Sequence, residues 1–460
     1  MKLITRKFLN PNLKTYKNDK TYTFDDYQVL INKAKTFLIK ERNVKPGQKI
    51  FFASTLWPNY LAWFIAASEL GMSFVVSDFP LLARSKSVNK KLSLYGGIDH
   101  VIKGAAEGLE EFFSEEQNRF WKDKIIDHKA YEHSTEECSN EFWAQEDDIL
   151  LYATSSGTTG TPKVHFYSQK FFYDIADRNA KLYRLKSSDK CLHTRNLHHG
   201  SVVGVYFLPT LKYCEHHYTY ENPSSTKWVD IIQQHKVNRA LFFYDMTDIF
   251  SSHADLNVID SIRTEYFVLA PVKNDFLKFF KNNSKIYSVF GSGETCGPLF
   301  LPQVTEKMIE TKNFKKPLDD FYVIDIVDGY ISVTMPDGKV VMPGDKFIIK
   351  DGDYIHQGRN NLYRINGVAL YLDILIKLVE DFTNKQNEKD FDIVIDQEYD
   401  QIYIRSNQYI DLSLLNKFLV KNTRLQHYQI NKQINQPREN FFNGIKFDPF
   451  DVRLICRSLK

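Results

Sequence analysis

Cysteine is scarce. The 460-residue chain carries five, at positions 138, 191, 214, 296 and 456, and no two stand at metal-ligand or redox spacing. That excludes a disulfide-built scaffold and a cysteine-rich zinc module. Separate reduced thiols in a cytoplasmic protein are the expectation. A charge excess of one sign is missing too: 60 Lys and Arg against 57 Asp and Glu leave a net charge of +3. So weak a field argues for neither nucleic acid nor an anionic membrane as a partner. Long hydrophobic runs are also absent. The best candidate, 61–68, is followed by Glu69 and Gly71 and falls far short of the roughly 20 residues a membrane span requires. The basic start Met1-Lys2-Leu3-Ile4-Thr5-Arg6-Lys7 leads into no apolar segment, so neither a signal peptide nor a membrane span is expected. No internal repeat is present. What remains, 43% hydrophobic and 25% charged, describes an ordinary globular protein long enough for two or three structural units.

Periodicity places the elements. Tyr27, Leu30, Ile31, Ala34, Phe37 and Leu38 recur at helical spacing and predict an amphipathic helix over 26–42, with Asp25 or Asp26 as its N-cap. A turn at Lys45-Pro46-Gly47-Gln48, a strand at 50–53, a helix at about 57–70 ending at Gly71 and a strand at 74–76 follow. This alternation predicts an α/β layered domain with a largely parallel sheet, extended by strands at 240–243, 267–269 and 286–289. Past residue 321 the texture changes. A hairpin is expected across Asp328-Gly329, a turn at Asp351-Gly352-Asp353, and a smaller α+β unit from about Asn360 with helices at 370–382 and 411–420 and strands at 391–395 and 401–405.

The segment Thr154-Ser155-Ser156-Gly157-Thr158-Thr159-Gly160-Thr161-Pro162-Lys163 follows the apolar run 149–153. Glycines let the backbone N–H groups approach an anion, hydroxyls donate further hydrogen bonds, and a lysine adds a point charge. The spacing is not that of the Walker loop, which has four residues between its glycines and a lysine directly after the second. A Ser/Thr/Gly surface linker would read the same way in isolation.

In this segment the chain resembles the AMP-forming adenylating superfamily of acyl-CoA synthetases, peptide-synthetase adenylation domains and luciferase, and further matches follow in order along nearly the whole length. Thr23-Phe24-Asp25-Asp26-Tyr27 and the stretch from Glu69-Leu70-Gly71-Met72 to Ser77-Asp78-Phe79-Pro80 resemble early elements of that family. Leu269-Ala270-Pro271 is similar to its Gly-Ala-Pro segment beside the adenine, without the first glycine. Phe290-Gly291-Ser292-Gly293-Glu294-Thr295 is similar to its Tyr-Gly-x-Thr-Glu, with Gly293 in place of the threonine. The resemblance implies that Phe290 stacks on adenine and that Glu294 holds Mg²⁺, a hard cation that seeks oxygen; Thr295 is a candidate substitute for the lost hydroxyl. By itself the segment also reads as a glycine turn with a solvated glutamate.

Lys350-Asp351-Gly352-Asp353 and Gly358-Arg359 resemble the family's ribose-binding Asp and its Gly-Arg, with a shortened hairpin expected between Asp353 and Arg359. A large N-terminal domain over 1–358 and a small mobile C-terminal lid over 359–460 are implied, with a hinge near 359–361, where Asn361 replaces the usual Asp or Lys. Gly367 matches the start of the family's pantetheine-facing loop. Pro437-Arg438 with Asn443-Gly444-Ile445-Lys446 resembles the terminal lysine motif, making Lys446 the candidate contact to the carboxylate and α-phosphate; a solvated tail lysine is the plainer alternative. Leu197-His198-His199-Gly200 places His199 by resemblance at the acyl pocket, where α-amino-acid-activating relatives usually carry an Asp for the substrate ammonium. A buried ammonium without a counter-charge is costly, so His199 argues against a standard α-amino acid; a structural histidine is the competing account.

The implied reaction is ATP-dependent activation of a small-molecule carboxylic acid as acyl-adenylate, with Thr158, Thr159, Lys163, Mg²⁺ on Glu294, and Lys446 positioning the reactants and neutralising charge. Transfer to a thiol follows, most simply that of CoA. A phosphopantetheine carrier protein or an amine as acceptor, a catalytically degenerate nucleotide binder, and a luciferase-like oxygenase are the alternatives.

Overall fold

The 26–42 pattern folds as the α-helix Phe24–Thr36 and continues as a π-helical turn, Phe37–Glu41. Its cap is Thr23 rather than Asp25 or Asp26. The Thr23 hydroxyl accepts from the Asp26 N–H, and the Asp26 carboxylate accepts from the Thr23 N–H at 2.7 Å. Asp26 is thus the third residue of a capping box, and the reciprocal bonds pull the start two residues upstream. Tyr27, Ile31, Ala34 and Leu38 turn inward onto the helix Asn59–Glu69. That second helix is buried from Tyr60 to Glu69, which accounts for its all-round apolar character.

The computed structural model describes residues 1–17, 20–52, 58–76, 96–103, 123–154, 164–193, 202–219, 225–242, 265–269, 285–359, 362–365, 368–384, 391–396, 401–406, 410–422, 430–434 and 454–457. The described residues up to Gln357 form one compact unit and those from Gly358 a second. No helix among them is long and apolar enough to cross a membrane. Cys138, Cys191, Cys214 and Cys296 are buried free thiols.

Among its described residues the first unit holds three sheets. One runs, in spatial order, Ile125–Asp127, His100–Lys103, Lys49–Phe52, Ser73–Val76, Ile149–Thr154 and Val164–Ser168, with only the last pairing antiparallel. A second runs Pro298–Phe300, Lys285–Gly291, Glu265–Leu269, Arg239–Phe242, Lys190–His193, His216–Thr219, Lys14–Lys17 and Lys20–Thr23, antiparallel only at its two edges. The third, antiparallel where its register is defined, contains Val323–Val327, Tyr330–Thr334, Val340–Val341, Asp345–Lys350 and Asp353–Arg359. The architecture is layered α/β, as the alternating pattern predicts. Both Asp-Gly turns of the third sheet sit in the left-handed region, Asp328 and Gly329 at φ 52° and 80°, Asp351 and Gly352 at 54° and 78°. Those angles are what two-residue hairpins demand and Asp-Gly supplies. One expectation fails: no hairpin intervenes between Asp353 and Arg359, which end one continuous seven-residue strand.

In the second unit Phe391–Asp396 pairs with Gln401–Ser406 and with Leu454–Arg457, and Ile430–Ile434 lies along the other edge. Helices Leu372–Asn384 and Leu412–Asn422 contribute Leu375, Val379, Leu415 and Leu419 to a core closed by Ile393, Ile402 and Ile404.

Candidate active site

The site is built where two parallel-sheet strands end. In open α/β sheets ligands gather beyond the carboxyl ends of the strands. Ile149–Thr154 ends at Thr154, which pairs with Val164, so both ends of the 155–163 loop are pinned side by side. Lys285–Gly291 ends in the turn Ser292-Gly293-Glu294-Thr295-Cys296-Gly297.

Three side chains fix that turn. The Tyr167 hydroxyl, on the return strand Val164–Ser168, donates to the Gly293 carbonyl at 2.7 Å. The Tyr322 hydroxyl donates to the Thr295 carbonyl at 2.8 Å. Thr295 Oγ1 accepts from the Ser292 N–H at 3.1 Å and lies 3.0 Å from the Gly297 carbonyl. Thr295 is fully buried and its hydroxyl is spent inside the turn, so it does not replace the hydroxyl missing at Gly293. Gly291 is required by close approach: a Cβ there would stand 2.4 Å from the Gly297 carbonyl oxygen. Gly293 is the opposite case, with open space around the position of a Cβ.

Glu294 thereby projects from a rigid turn with its side chain 13% exposed, and its carboxylate Oε1 lies 3.9 Å from Nε2 of His165. Among the described residues no lysine or arginine pairs with it. A largely dehydrated carboxylate lacking a fixed lysine or arginine partner there suits a hard divalent cation, which fits the Mg²⁺ role that the family resemblance implies. His165 is the residue that sequence reasoning passed over. Its one available signal was position, two residues beyond Lys163 on the strand leaving the loop.

Phe290 is 8% exposed, edge-on to Phe300, Phe314 and Phe347 at centroid distances of 5.9, 4.9 and 5.3 Å, and tilted against His356 at 5.3 Å. The ring is a core component rather than the adenine-stacking surface expected of it, and its packing docks the third sheet onto the strand that leads into the Glu294 turn. His356 belongs to the strand bearing Asp353 and is held by Asp345 at 3.1 Å. Asp353 is already half engaged. Its Oδ2 accepts from Asn313 Nδ2 and Lys315 Nζ, both at 2.9 Å, and these two hydrogen bonds hold the carboxyl below its ordinary range. Its Oδ1 has no partner among the described residues, which leaves an oriented acceptor for a hydroxyl. Asn313 and Lys315 are held by backbone pairing of Phe314 and Lys315 with Tyr354, so the arrangement is built into the sheet edge.

Thr154 is described as a strand end and Arg359 as the last residue of its strand. Ser155, Ser156, Gly157, Thr158, Thr159, Gly160, Lys163, His199, Ala270 and Lys446 lie outside the described residues, as do Asn361 and Gly367.

His193, on the strand before the His199 stretch, and His217, on the strand beside it, form a buried histidine pair. His217 Nε2 is 3.1 Å from the Cys214 carbonyl, which can only accept, so that nitrogen carries the proton. His217 Nδ1 then accepts from His193 Nε2 at 3.0 Å. Burial holds both rings neutral, His217 at about 4 against an ordinary 6.5. An unfolded chain takes up protons that these rings refuse. The pair's stabilisation is complete above pH 6.5 and is lost as pH falls toward about 4. Thermal melts across that window are expected to show the loss, and His217→Gln to flatten it.

A layered α/β unit whose hydroxyl- and glycine-rich segment 155–163 follows one parallel strand and whose acidic turn follows another is the arrangement of a nucleotide-binding enzyme. A family model described as AMP-binding enzyme matches residues 8–346, and the chain belongs to that family, the adenylate-forming ligases. Solved structures agree on the fold. O-succinylbenzoate CoA synthetase from Bacillus subtilis is similar with a TM-score of 0.74 at 16% identity, covering 94% of each chain. An artificially fused adenylation–PCP di-domain of an NRPS from Klebsiella oxytoca is similar with a TM-score of 0.74 at 12% identity, again covering 94% of each chain. A putative long-chain-fatty-acid CoA ligase from Rhodopseudomonas palustris scores 0.63 at 15% identity, covering 77% of this chain and 97% of its own. No curated protein sequence matches the chain.

Proposed function

We propose that the protein is an ATP-dependent, AMP-forming acid–thiol ligase. In this reading a carboxylate oxygen attacks the α-phosphorus of ATP, the Pα–O bond to the β-phosphate breaks, and pyrophosphate leaves. The sulfur of CoA then attacks the acyl carbonyl, AMP departs, and the thioester remains. The observation that carries the reading is Glu294, fixed by Tyr167 and Tyr322 on a turn whose neighbouring strand flanks the 155–163 loop. Glu294 would hold Mg²⁺, which would supply charge neutralisation for the triphosphate. Lys163 and the loop hydroxyls bind phosphate oxygens, and Lys446 contacts the carboxylate and α-phosphate. Asp353 Oδ1 accepts from a ribose hydroxyl, positioned by Asn313 and Lys315 on Oδ2, and Arg359 assists at the ribose or phosphates. Gly291 and Ala270 form the wall at the adenine, and Phe290, packed among Phe300, Phe314, Phe347 and His356, supports that wall from the core. His199 lines the acid pocket. Residues 1–358 bind ATP and acid, and 359–460 act as the mobile lid, in a cytoplasmic protein.

Pyrophosphate release from ATP and Mg²⁺, measured over aryl, short-chain, fatty and amino acids with and without CoA, tests this. Acid-dependent release stimulated by CoA is expected. Acid-dependent release that only a carrier protein or an amine completes would move the acceptor. ATP binding with no release would favour the second reading, a nucleotide binder without turnover, for which the missing hydroxyl at Gly293 speaks.

That hydroxyl can be restored. Gly293→Thr meets no neighbour on its Cβ, and its φ is not left-handed. A hydroxyl donating to a charged phosphate oxygen contributes about 1.5 kcal/mol, or roughly tenfold in rate if it strengthens in the transition state. Pyrophosphate release by Gly293→Thr is therefore expected to rise about tenfold with an unchanged melting temperature. An unchanged rate would remove this turn from the phosphate site.

A further inference from the structure

We propose that His165 donates its Nε2 to the divalent cation held by Glu294, and that this second donor biases the site from Mg²⁺ toward Mn²⁺. The inference rests on the reading of Glu294 as a cation ligand. The two side chains come from different sheets, His165 from Val164–Ser168 and Glu294 from the turn after Lys285–Gly291, and meet at 3.9 Å. Their approach is built. Tyr167 projects from the same face of the strand as His165, and its hydroxyl clamps the Gly293 carbonyl next to Glu294. His165 pairs with Ala153, one residue inside the loop closure at Thr154 and Val164, so the imidazole stands at the mouth of the phosphate loop.

The 3.9 Å separation is too long for a hydrogen bond. It lies between the separations of adjacent and of opposite ligands on one small cation, so a side-chain shift of under ~1 Å completes either arrangement. At about 2.1 Å from the metal each, donor atoms lie about 3 Å apart at a right angle and about 4.2 Å apart when opposite. Both side chains are mostly dehydrated, with exposures of 9% and 13%, so the pair forms a shielded donor set completed by phosphate oxygens. Mg²⁺ prefers an all-oxygen shell, whereas first-row transition ions accept imidazole beside carboxylate. A nitrogen donor here therefore raises affinity for Mn²⁺ over Mg²⁺.

Pulsed EPR on the full chain with Mn²⁺ and ATP decides the matter. Modulation from a directly bound ¹⁴N is expected, lost in His165→Leu, with Mn²⁺ affinity for the ATP complex falling about tenfold. Bound Mn²⁺ without that modulation overturns the proposal in the wild-type protein alone, whether or not the variant folds. Modulation that persists in folded His165→Leu overturns it as well. Glu294→Gln separates the two readings: unchanged Mn²⁺ affinity in that variant refutes the role of Glu294 itself, independently of the nitrogen signal.

Discussion

Glu294→Gln is expected to lower ATP–pyrophosphate exchange by about 10²–10³-fold, the scale seen when one preorganised electrostatic contact to a transition state is removed. The substitution keeps size and shape and removes only the charge. The turn does not depend on it. Its geometry is held by Tyr167 on the Gly293 carbonyl, Tyr322 on the Thr295 carbonyl and the internal bonds of Thr295. Melting temperature and far-UV circular dichroism should match the wild type. Lys163→Ala should give a comparable loss through the other side of the polyphosphate. If exchange survives both substitutions in folded protein, the site assignment is wrong.

Glu69→Ala is expected to cost about 3–5 kcal/mol of folding stability while leaving every proposed substrate contact in place. Glu69 ends the buried helix Asn59–Glu69, and its carboxylate accepts Arg6 in a forked pair, Nη2 at 2.7 Å and Nε at 2.9 Å, and Lys35 Nζ at 2.9 Å. Lys35 and Glu69 are 1% and 2% exposed. Removing the anion strands a buried ammonium and half a guanidinium, which urea unfolding would register. Replacing the three together, Arg6→Met, Lys35→Met and Glu69→Leu, is expected to be neutral or stabilising, since the desolvation of all three charges disappears with their attraction.

The same network sets an acid limit. Burial by itself would raise the Glu69 carboxyl, but the Arg6 hydrogen bonds and the Lys35 and Arg6 charges outweigh it and lower it below 4.5. A depressed carboxyl contributes stability above its unfolded value and loses it as pH falls through the folded value, so this contribution fades below about pH 4.5. Retention of full stability in Glu69→Ala would show that the triad is a surface-like ion pair of little worth.

Much of this was legible in the residues. The 3.6-residue period at 27–38, the period-2 runs at 323–333 and the Asp-Gly pairs each specify a local conformation through contacts a few residues apart, and the structure follows them. The cap moved to Thr23 because Asp and Thr both qualify chemically and only the reciprocal bond selects one. The order of motifs along the chain pointed to one family, and the family match over residues 8–346 agrees on that family. Pairings across sheets were not legible. Nothing local in Val164-His165-Phe166-Tyr167 says that one side chain reaches Glu294 and another clamps Gly293, because those partners lie more than a hundred residues away. Nor does Phe290 announce that four aromatic rings enclose it, or Thr295 that its hydroxyl is consumed within its own turn. Sequence by itself determined most local conformations, which depend on short-range patterns, and the order of its motifs determined the family it resembles. The tertiary structure alone decided which polar groups remain available for a ligand, since availability depends on what distant strands bring against them.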